Sequence, residues 1–170
     1  MDIRSAGILL FRHRSRRLEV LLGHPGGPFW VNKDAGAWSI PKGLIEDDED
    51  PLNAAKREFQ EETGFAVSGE FITLGTLRQP SRKIVYVWAL EENLDETRMI
   101  SNTFALEWPP GSGKFEEYPE IDRVSWFGLG EARVKISQGQ VGFLDRLLEK
   151  LKARRGMTGD GAGSGETPKR

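Results

Sequence analysis

Residues 43–65 read GLIEDDEDPLNAAKREFQEETGF, and this stretch constrains the chain more than any other. Asp50-Pro51 has the form of an N-cap followed by proline at the first helical position. Gly64 has the form of the residue just past a helix end. Between them, Leu52, Ala55 and Phe59 recur at helical spacing and predict a core-facing side. Glu58, Glu61 and Glu62 stand at i, i+3 and i+4, so their carboxylates share a different face. Like charges so placed repel by about 0.2–0.5 kcal/mol per exposed pair. A patch of this kind suits a positive charge from outside. Hard divalent cations such as Mg²⁺ take oxygen ligands and bridge one or two carboxylates to substrate phosphates. The plainer alternative is a solvated acidic face, with Arg57 and Glu61 as an i,i+4 ion pair.

A chain of 170 residues suits one domain with a sizeable core, expected over residues 1–154. From about Arg155 the sequence turns to Gly, Ser and Thr with no apolar face, which predicts a flexible tail over 155–170. A formal net charge of −2 gives no global attraction to nucleic acid or membranes. The absence of cysteine excludes disulfides, zinc-thiolate sites and cysteine nucleophiles, and fits a reducing compartment. No apolar run has the length of a membrane span. At the N-terminus, a short apolar patch precedes the arginines, the reverse of a secretory signal. A cytoplasmic location is therefore the expectation.

Residues 3–12 and 18–22 read as strands joined by a basic turn at Arg12–Arg17, a hairpin whose charges suit a solvated loop better than a phosphate site. His13 and His24 stand alone without ligand spacing and receive no role. Residues 24–38 read as a loop, in which Phe29 and Trp30 either stack on a nucleobase or close the core edge. Residues 65–78 and 83–90 read as strands around a turn at Gln79-Pro80-Ser81. The nearby Arg78, Arg82 and Lys83 line an anion site or blunt a sheet edge. Residues 91–99 read as an irregular link and 101–108 as a further strand. The loop 109–114 contains GSGK, too short for a phosphate-binding Walker motif. Residues 115–120 add three glutamates, residues 124–127 a short strand, and residues 128–136 and 141–153 two helices. Val141, Leu144, Leu147, Leu148 and Leu151 form an apolar stripe that predicts core packing. Strands alternating with helices predict an α/β or α+β layered domain.

The fixed positions of residues 43–65 are Gly43, Glu49, Arg57-Glu58, Phe59, Glu61-Glu62, Gly64 and Phe65. In this they resemble the Nudix hydrolase signature with every fixed position filled. The resemblance implies a Nudix-type α/β/α sandwich with a mixed sheet and a loop-helix-loop signature. It also implies hydrolysis of a nucleoside diphosphate linked to another group, with Mg²⁺ or Mn²⁺ as cofactor. That chemistry agrees with the residues: metals on carboxylates offset polyphosphate charge, acidify bound water and orient the leaving group. The resemblance assigns Glu58, Glu61 and Glu62 as metal ligands, with the Gly43 carbonyl as a backbone ligand. It makes Arg57 the brace of a helix glutamate and Glu49 a supporting group. Either Glu58 or Glu61 serves as the base, or a glutamate outside the signature does. Glu120 is the candidate, because EIDRVSW is similar to the segment carrying an extra metal-binding glutamate in diadenosine tetraphosphate hydrolases. Glu116 and Glu117 are its rivals.

The lead-in Trp38-Ser39-Ile40-Pro41-Lys42-Gly43 is similar to that of Nudix dinucleoside polyphosphate hydrolases and of relatives acting on nucleoside triphosphates or inositol pyrophosphates. Lys42 is placed to meet a phosphate oxygen as a point charge. Lys42, Trp38, Arg78 and Tyr86 form the expected substrate-binding set, although Tyr86, Trp88 and Phe104 each suit core packing better than a base contact. The expected substrate is a dinucleoside polyphosphate or a (d)NTP. A non-catalytic nucleotide sensor and an RNA 5′-pyrophosphohydrolase are the alternatives.

Overall fold

The computed structural model describes residues 3–166, with side chains through Arg155. Eight strands and three α-helices follow one another among these residues. The strands are β1 (Ile3–Arg14), β2 (Arg17–Pro25), β3 (Lys42–Leu44), β4 (Ile72–Arg78), β5 (Lys83–Glu91), β6 (Thr103–Glu107), β7 (Phe115–Pro119) and β8 (Ile121–Gly128). The helices are α1 (Pro51–Thr63), α2 (Leu129–Lys135) and α3 (Val141–Glu166).

The main sheet has the order β4-β5-β1-β2-β8, with β3 paired to β1 beside this path. It is mixed: β1 and β5 run parallel, and its other pairs are antiparallel. One edge of β1 serves two partners in succession, with Ser5–Gly7 facing β3 and Phe11–Arg14 facing β2. Alternate residues of β1 enter opposite cores. Leu9 and Phe11 join Val85, Val87, Phe127, Phe143, Leu144 and Leu147 on the face covered by α2 and α3. Ala6, Ile8 and Leu10 join Ala54, Ala55, Phe59 and Val124 on the face covered by α1. The result is the expected α/β/α sandwich around a mixed sheet.

The local signals around α1 are realised atom by atom. The Asp50 carboxylate accepts the Asn53 N–H at 3.1 Å, and Pro51 occupies the first turn. Gly64 adopts φ +82° and donates its N–H to the Gln60 carbonyl, a left-handed cap that a side chain would strain. Ala55 and Phe59 are buried as their spacing predicts, with Ala54 and Thr63 beside them.

Elsewhere the structure redraws several boundaries. The first hairpin is longer than expected, because Ser15 and Arg16 both take positive φ and turn the chain in two residues. The strand expected over 65–78 begins only at Ile72. Phe65, Val67 and Phe71 instead pack against the α1-side core from irregular chain. Strands β6 and β7 form a separate two-stranded hairpin, and β7 falls on the stretch read only as a source of glutamates. Helix α3 continues beyond the residue at which the expected tail begins. The side chains of residues 156–166, and residues 167–170 altogether, lie outside what is described. Among the described residues no helix is long and apolar enough to cross a membrane.

Candidate active site

Helix α1 lies against β1 and β3, and a cleft of about 490 Å³ opens beside it. Lys42, Gly43, Leu44, Glu46, Arg57, Glu58, Glu61, Glu62, Asn102 and Glu120 line this cleft. Residues distant in sequence thus meet in one place: β3 supplies Lys42 and Gly43, α1 the charged face, and the β7–β8 junction Glu120.

Gly43 is there because Glu58 leaves no room for anything larger. A Cβ on residue 43 would lie 2.1 Å from the Glu58 carboxyl carbon. The backbone of β3 and the Glu58 carboxylate are therefore in close apposition, which only glycine permits.

Arg57 organises the acidic groups. Its Nε and Nη2 donate to the two Glu49 carboxylate oxygens at 2.8 and 2.9 Å, a bidentate pairing. Nη2 also donates to the Leu44 carbonyl at 3.0 Å. Nη1 donates to Glu61 at 3.0 Å and, more distantly, to Glu58 at 3.4 Å. The Arg57 hydrogen bond, aided by the Glu46 N–H, pulls the Glu49 carboxyl down to about 2. Glu49 thereby holds the guanidinium, whose own pKa is raised, in a fixed position.

Glu62 experiences the opposite environment. Burial first, then the charge of Glu58, pushes its carboxyl up to about 8, although Lys42 pulls the other way. Burial and the neighbouring Glu61 likewise raise Glu58. The Lys42 N–H donates to Glu62 at 3.1 Å. Burial, and secondarily Lys83, lowers the ammonium pKa of Lys42, against the pull of Glu62 and Glu58.

These surroundings fit a divalent cation. Among the described residues, five carboxylates, those of Glu46, Glu58, Glu61, Glu62 and Glu120, line a cleft with only Lys42 and Arg57 as cations. The donors are hard oxygens, the set that Mg²⁺ and Mn²⁺ prefer. Two of the carboxylates are disfavoured as anions while no further positive charge is present. Among the described residues, no three acidic or histidine side chains are gathered tightly enough to hold an ion as they stand. The Glu58 and Glu61 carboxylates turn toward Arg57 instead.

Glu120 reaches the cleft through the backbone around Asn102. The Asn102 N–H donates to the Glu61 carbonyl at 2.7 Å, and the Asn102 carbonyl accepts the Glu120 N–H at 2.9 Å. Asn102 was not legible as a site residue, because its place depends on these two long-range bonds. The rivals of Glu120 do not line the cleft. Glu116 bonds the Tyr118 hydroxyl and Glu117 the Thr103 hydroxyl, both on the β6–β7 hairpin.

The expected substrate-binding set divides. Lys42 lines the cleft, but Trp38 is 4% exposed and belongs to the core. Its ring packs edge-on to Phe127 and His24, and its Nε1 donates to Asp34 at 2.8 Å. Trp38 is therefore corrected from a substrate contact to a core residue. Tyr86 is partly buried: it packs with Trp88 on the α1-side core, and the Arg4 guanidinium lies 5.9 Å from its ring centroid. Arg78 is exposed at the end of β4 and lines neither this cleft nor its neighbour. Phe104 lies on the β6–β7 hairpin, tilted against Tyr118.

Two residues given no role prove to be structural keys. His24 is fully buried, with Nδ1 3.1 Å from both Asp122 oxygens and Nε2 2.6 Å from the Lys33 carbonyl. It pins the 25–36 loop against β8. Gln140 is also buried: its Oε1 accepts the Ile40 N–H at 2.9 Å and its Nε2 donates to the Ser39 hydroxyl at 3.0 Å. It fixes the segment that delivers Lys42 and Gly43. Both partnerships span about a hundred residues, beyond the reach of local patterns.

Known proteins share this architecture. The NUDIX domain of Shewanella oneidensis NrtR, solved with ADP ribose, superposes with a TM-score of 0.64 at 16% identity, covering 89% of each chain. A Caenorhabditis elegans Ap4A hydrolase superposes at 0.59 and 21% identity, over 89% of this chain and 98% of that one. At these identities the likeness concerns the fold. Among curated relatives, an RNA pyrophosphohydrolase of Bartonella henselae is 41% identical over 66 residues, 36% of this chain and 35% of that protein. Nudix hydrolase 25 of Arabidopsis thaliana is 60% identical over 38 residues, 22% of this chain and 21% of that protein. The matches thus span well under half the length of these two relatives. The sequence profile of the NUDIX domain matches residues 1–147, and the chain belongs to the Nudix family.

Proposed function

We propose that the chain is a divalent-metal-dependent pyrophosphohydrolase that cleaves a phosphoanhydride bond in a nucleoside diphosphate-linked substrate. One observation carries this reading: Glu58, Glu61, Glu62, Glu120 and Gly43 line a single cleft, with Arg57 and Lys42 as its only cations among the described residues.

In this reading the four carboxylates and the Gly43 carbonyl hold Mg²⁺ or Mn²⁺. When bound, the metal neutralises the pyrophosphate and lowers the pKa of bound water. Arg57, locked by Glu49, keeps the Glu58 and Glu61 carboxylates oriented. Lys42 takes a phosphate oxygen at the rim of the acidic set. Glu120 stands apart from the α1 face, and no side-chain hydrogen bond engages it among the described residues. It is the group that accepts the proton of the attacking water, while the phosphate leaving group departs along the cleft.

The substrate is a nucleotide with a 5′ phosphate chain: a dinucleoside polyphosphate such as a diadenosine polyphosphate, or a (d)NTP. RNA 5′ ends are a second reading, favoured by the two bacterial RNA pyrophosphohydrolases among the relatives. A sensor without turnover is disfavoured by the complete acidic set. A nucleotide panel with Mg²⁺, with products separated by chromatography, tests the proposal. Turnover that falls at least about a hundredfold in Glu61→Gln, with the fold unchanged, is expected for loss of a metal ligand. Wild-type turnover in that variant overturns the assignment.

A further inference from the structure

Among the described residues that line the acidic cleft, Asn102 carries the one neutral polar side chain. The others are five glutamates, Lys42, Arg57, Gly43 and Leu44. An amide brings an acceptor oxygen and two N–H donors without adding charge.

The main chain holds this residue from both sides. Its N–H donates to the Glu61 carbonyl at 2.7 Å, and its carbonyl accepts the Glu120 N–H at 2.9 Å. The Ile100 N–H donates to the Thr63 carbonyl at 2.9 Å, which ties the same segment to the end of α1. The Ser101 hydroxyl donates to the Asn102 carbonyl at 2.8 Å and accepts the Ile121 N–H at 3.1 Å. Both main-chain groups of Asn102 are therefore committed, and its exposed side chain is what remains to act in the cleft.

Most acidic groups of the cleft already have a partner. Glu58 and Glu61 turn toward Arg57, Glu46 lies 4.0 Å from Arg57, and Glu62 accepts the Lys42 N–H. Among the described residues no hydrogen bond engages the Asn102 side chain or the Glu120 carboxylate. These two neighbours, joined through the backbone, are the acceptors left for a water molecule.

We propose that the Asn102 side chain orients the attacking water, with Oδ1 accepting one hydrogen while Glu120 accepts the other. This rests on the pyrophosphohydrolase reading, with Glu120 as the proton acceptor, and adds the group that fixes the direction of attack. A water held at both hydrogens aims a lone pair away from them and into the cleft. As the oxygen–phosphorus bond forms, one proton passes to Glu120. The other stays on the new hydroxyl, hydrogen-bonded to Asn102. The phosphoanhydride P–O bond breaks, and its electron pair leaves with the departing phosphate. The amide is neutral, so it adds no repulsion toward the phosphates and leaves the task of base to Glu120.

Two substitutions of similar shape test this on the full chain. Asn102→Leu removes the acceptor, and Asn102→Asp keeps an oxygen in its place. Turnover is followed with Mg²⁺ on diadenosine tetraphosphate, ATP and a 5′-triphosphorylated RNA. Asn102→Leu is expected to lower kcat about tenfold to a hundredfold with KM changed less than about twofold, as loss of a contact that counts at the chemical step requires. Asn102→Asp is expected to hold kcat within about threefold of the wild type. Calorimetric titration with Mn²⁺ needs no turnover, and the affinity of Asn102→Leu is expected to equal that of the wild type, since the amide holds water and not the ion. Wild-type kcat in Asn102→Leu, an equal loss in Asn102→Asp, a rise in KM alone, or a fall in Mn²⁺ affinity that matches the fall in kcat overturns the proposal. Circular dichroism checks the fold, and Asn102→Ala, with the same expected loss, replaces Asn102→Leu if that variant does not fold. A folded wild type that hydrolyses none of the three substrates removes the pyrophosphohydrolase reading and the role of Asn102 together. Wild-type turnover that survives in Asn102→Leu removes the role of Asn102 alone.

Discussion

The carboxyl group of Glu58 occupies the space that a side chain on residue 43 would need, 2.1 Å from an ideal Cβ. Gly43→Ala must push Glu58 away or distort β3, which pairs with Ala6. Mn²⁺ affinity is expected to fall by roughly tenfold or more, a change of about 1.4 kcal/mol. Calorimetric titration alongside circular dichroism checks it. Unchanged affinity in a folded variant would mean that Glu58 is not held for an ion.

Arg57 and Glu49 make a pH-dependent brace. Glu49 is depressed from its model-compound value of 4.5 to about 2, chiefly by the Arg57 hydrogen bond. A depressed carboxylate contributes stability that is complete above about 4.5 and is lost as pH falls toward about 2. In a carboxyl-carbon NMR titration, the Glu49 midpoint is expected near 2 and to rise toward the ordinary value in Arg57→Met. A midpoint that ignores the substitution would place the cause elsewhere.

Glu120 and Glu116 offer a matched comparison. Both are glutamates near the same hairpin, but only Glu120 lines the acidic cleft. Glu120→Gln is expected to reduce metal-dependent turnover by at least about a hundredfold, in the range of a lost general base. Glu116→Gln is expected to stay near the wild type. Equal losses in the two variants would remove Glu120 from the reaction.

His24 is a stability residue. His24→Ala removes the hydrogen bonds to the Asp122 carboxylate, which keeps Arg123, and to the Lys33 carbonyl, at a cost of about 0.5–1.5 kcal/mol per bond. The urea midpoint is expected to drop accordingly. A variant as stable as the wild type would show that the 25–36 loop is held by other contacts.

The reach of sequence reasoning followed the range of the interactions. Asp50, Pro51 and Gly64 act within one helix turn of themselves, so the bounds of α1 were legible. The acidic face followed from helical periodicity, and its meaning from the resemblance of the whole 43–65 stretch. The resemblance singled out Glu120, which lines the cleft, but not Asn102, because nothing local marks a residue bonded through its backbone at both ends. Trp38 was misread for a related reason. The resemblance of the lead-in Trp38–Gly43 suggested a ligand contact, yet the Trp38 ring closes the α2-side core beside Phe127. The first half of the strand expected over 65–78 did not form, because Phe65, Val67 and Phe71 satisfy their apolar side chains under α1 without entering the sheet.

The two backbone bonds of Asn102 set the gauge of the acidic cleft. Glu61 on one wall and Glu120 on the other are joined through a single residue, by main-chain atoms alone. The separation of the two walls is thus independent of whatever side chain stands at 102. Any residue but proline at 102 can keep both bonds, and with them the distance between the opposing walls.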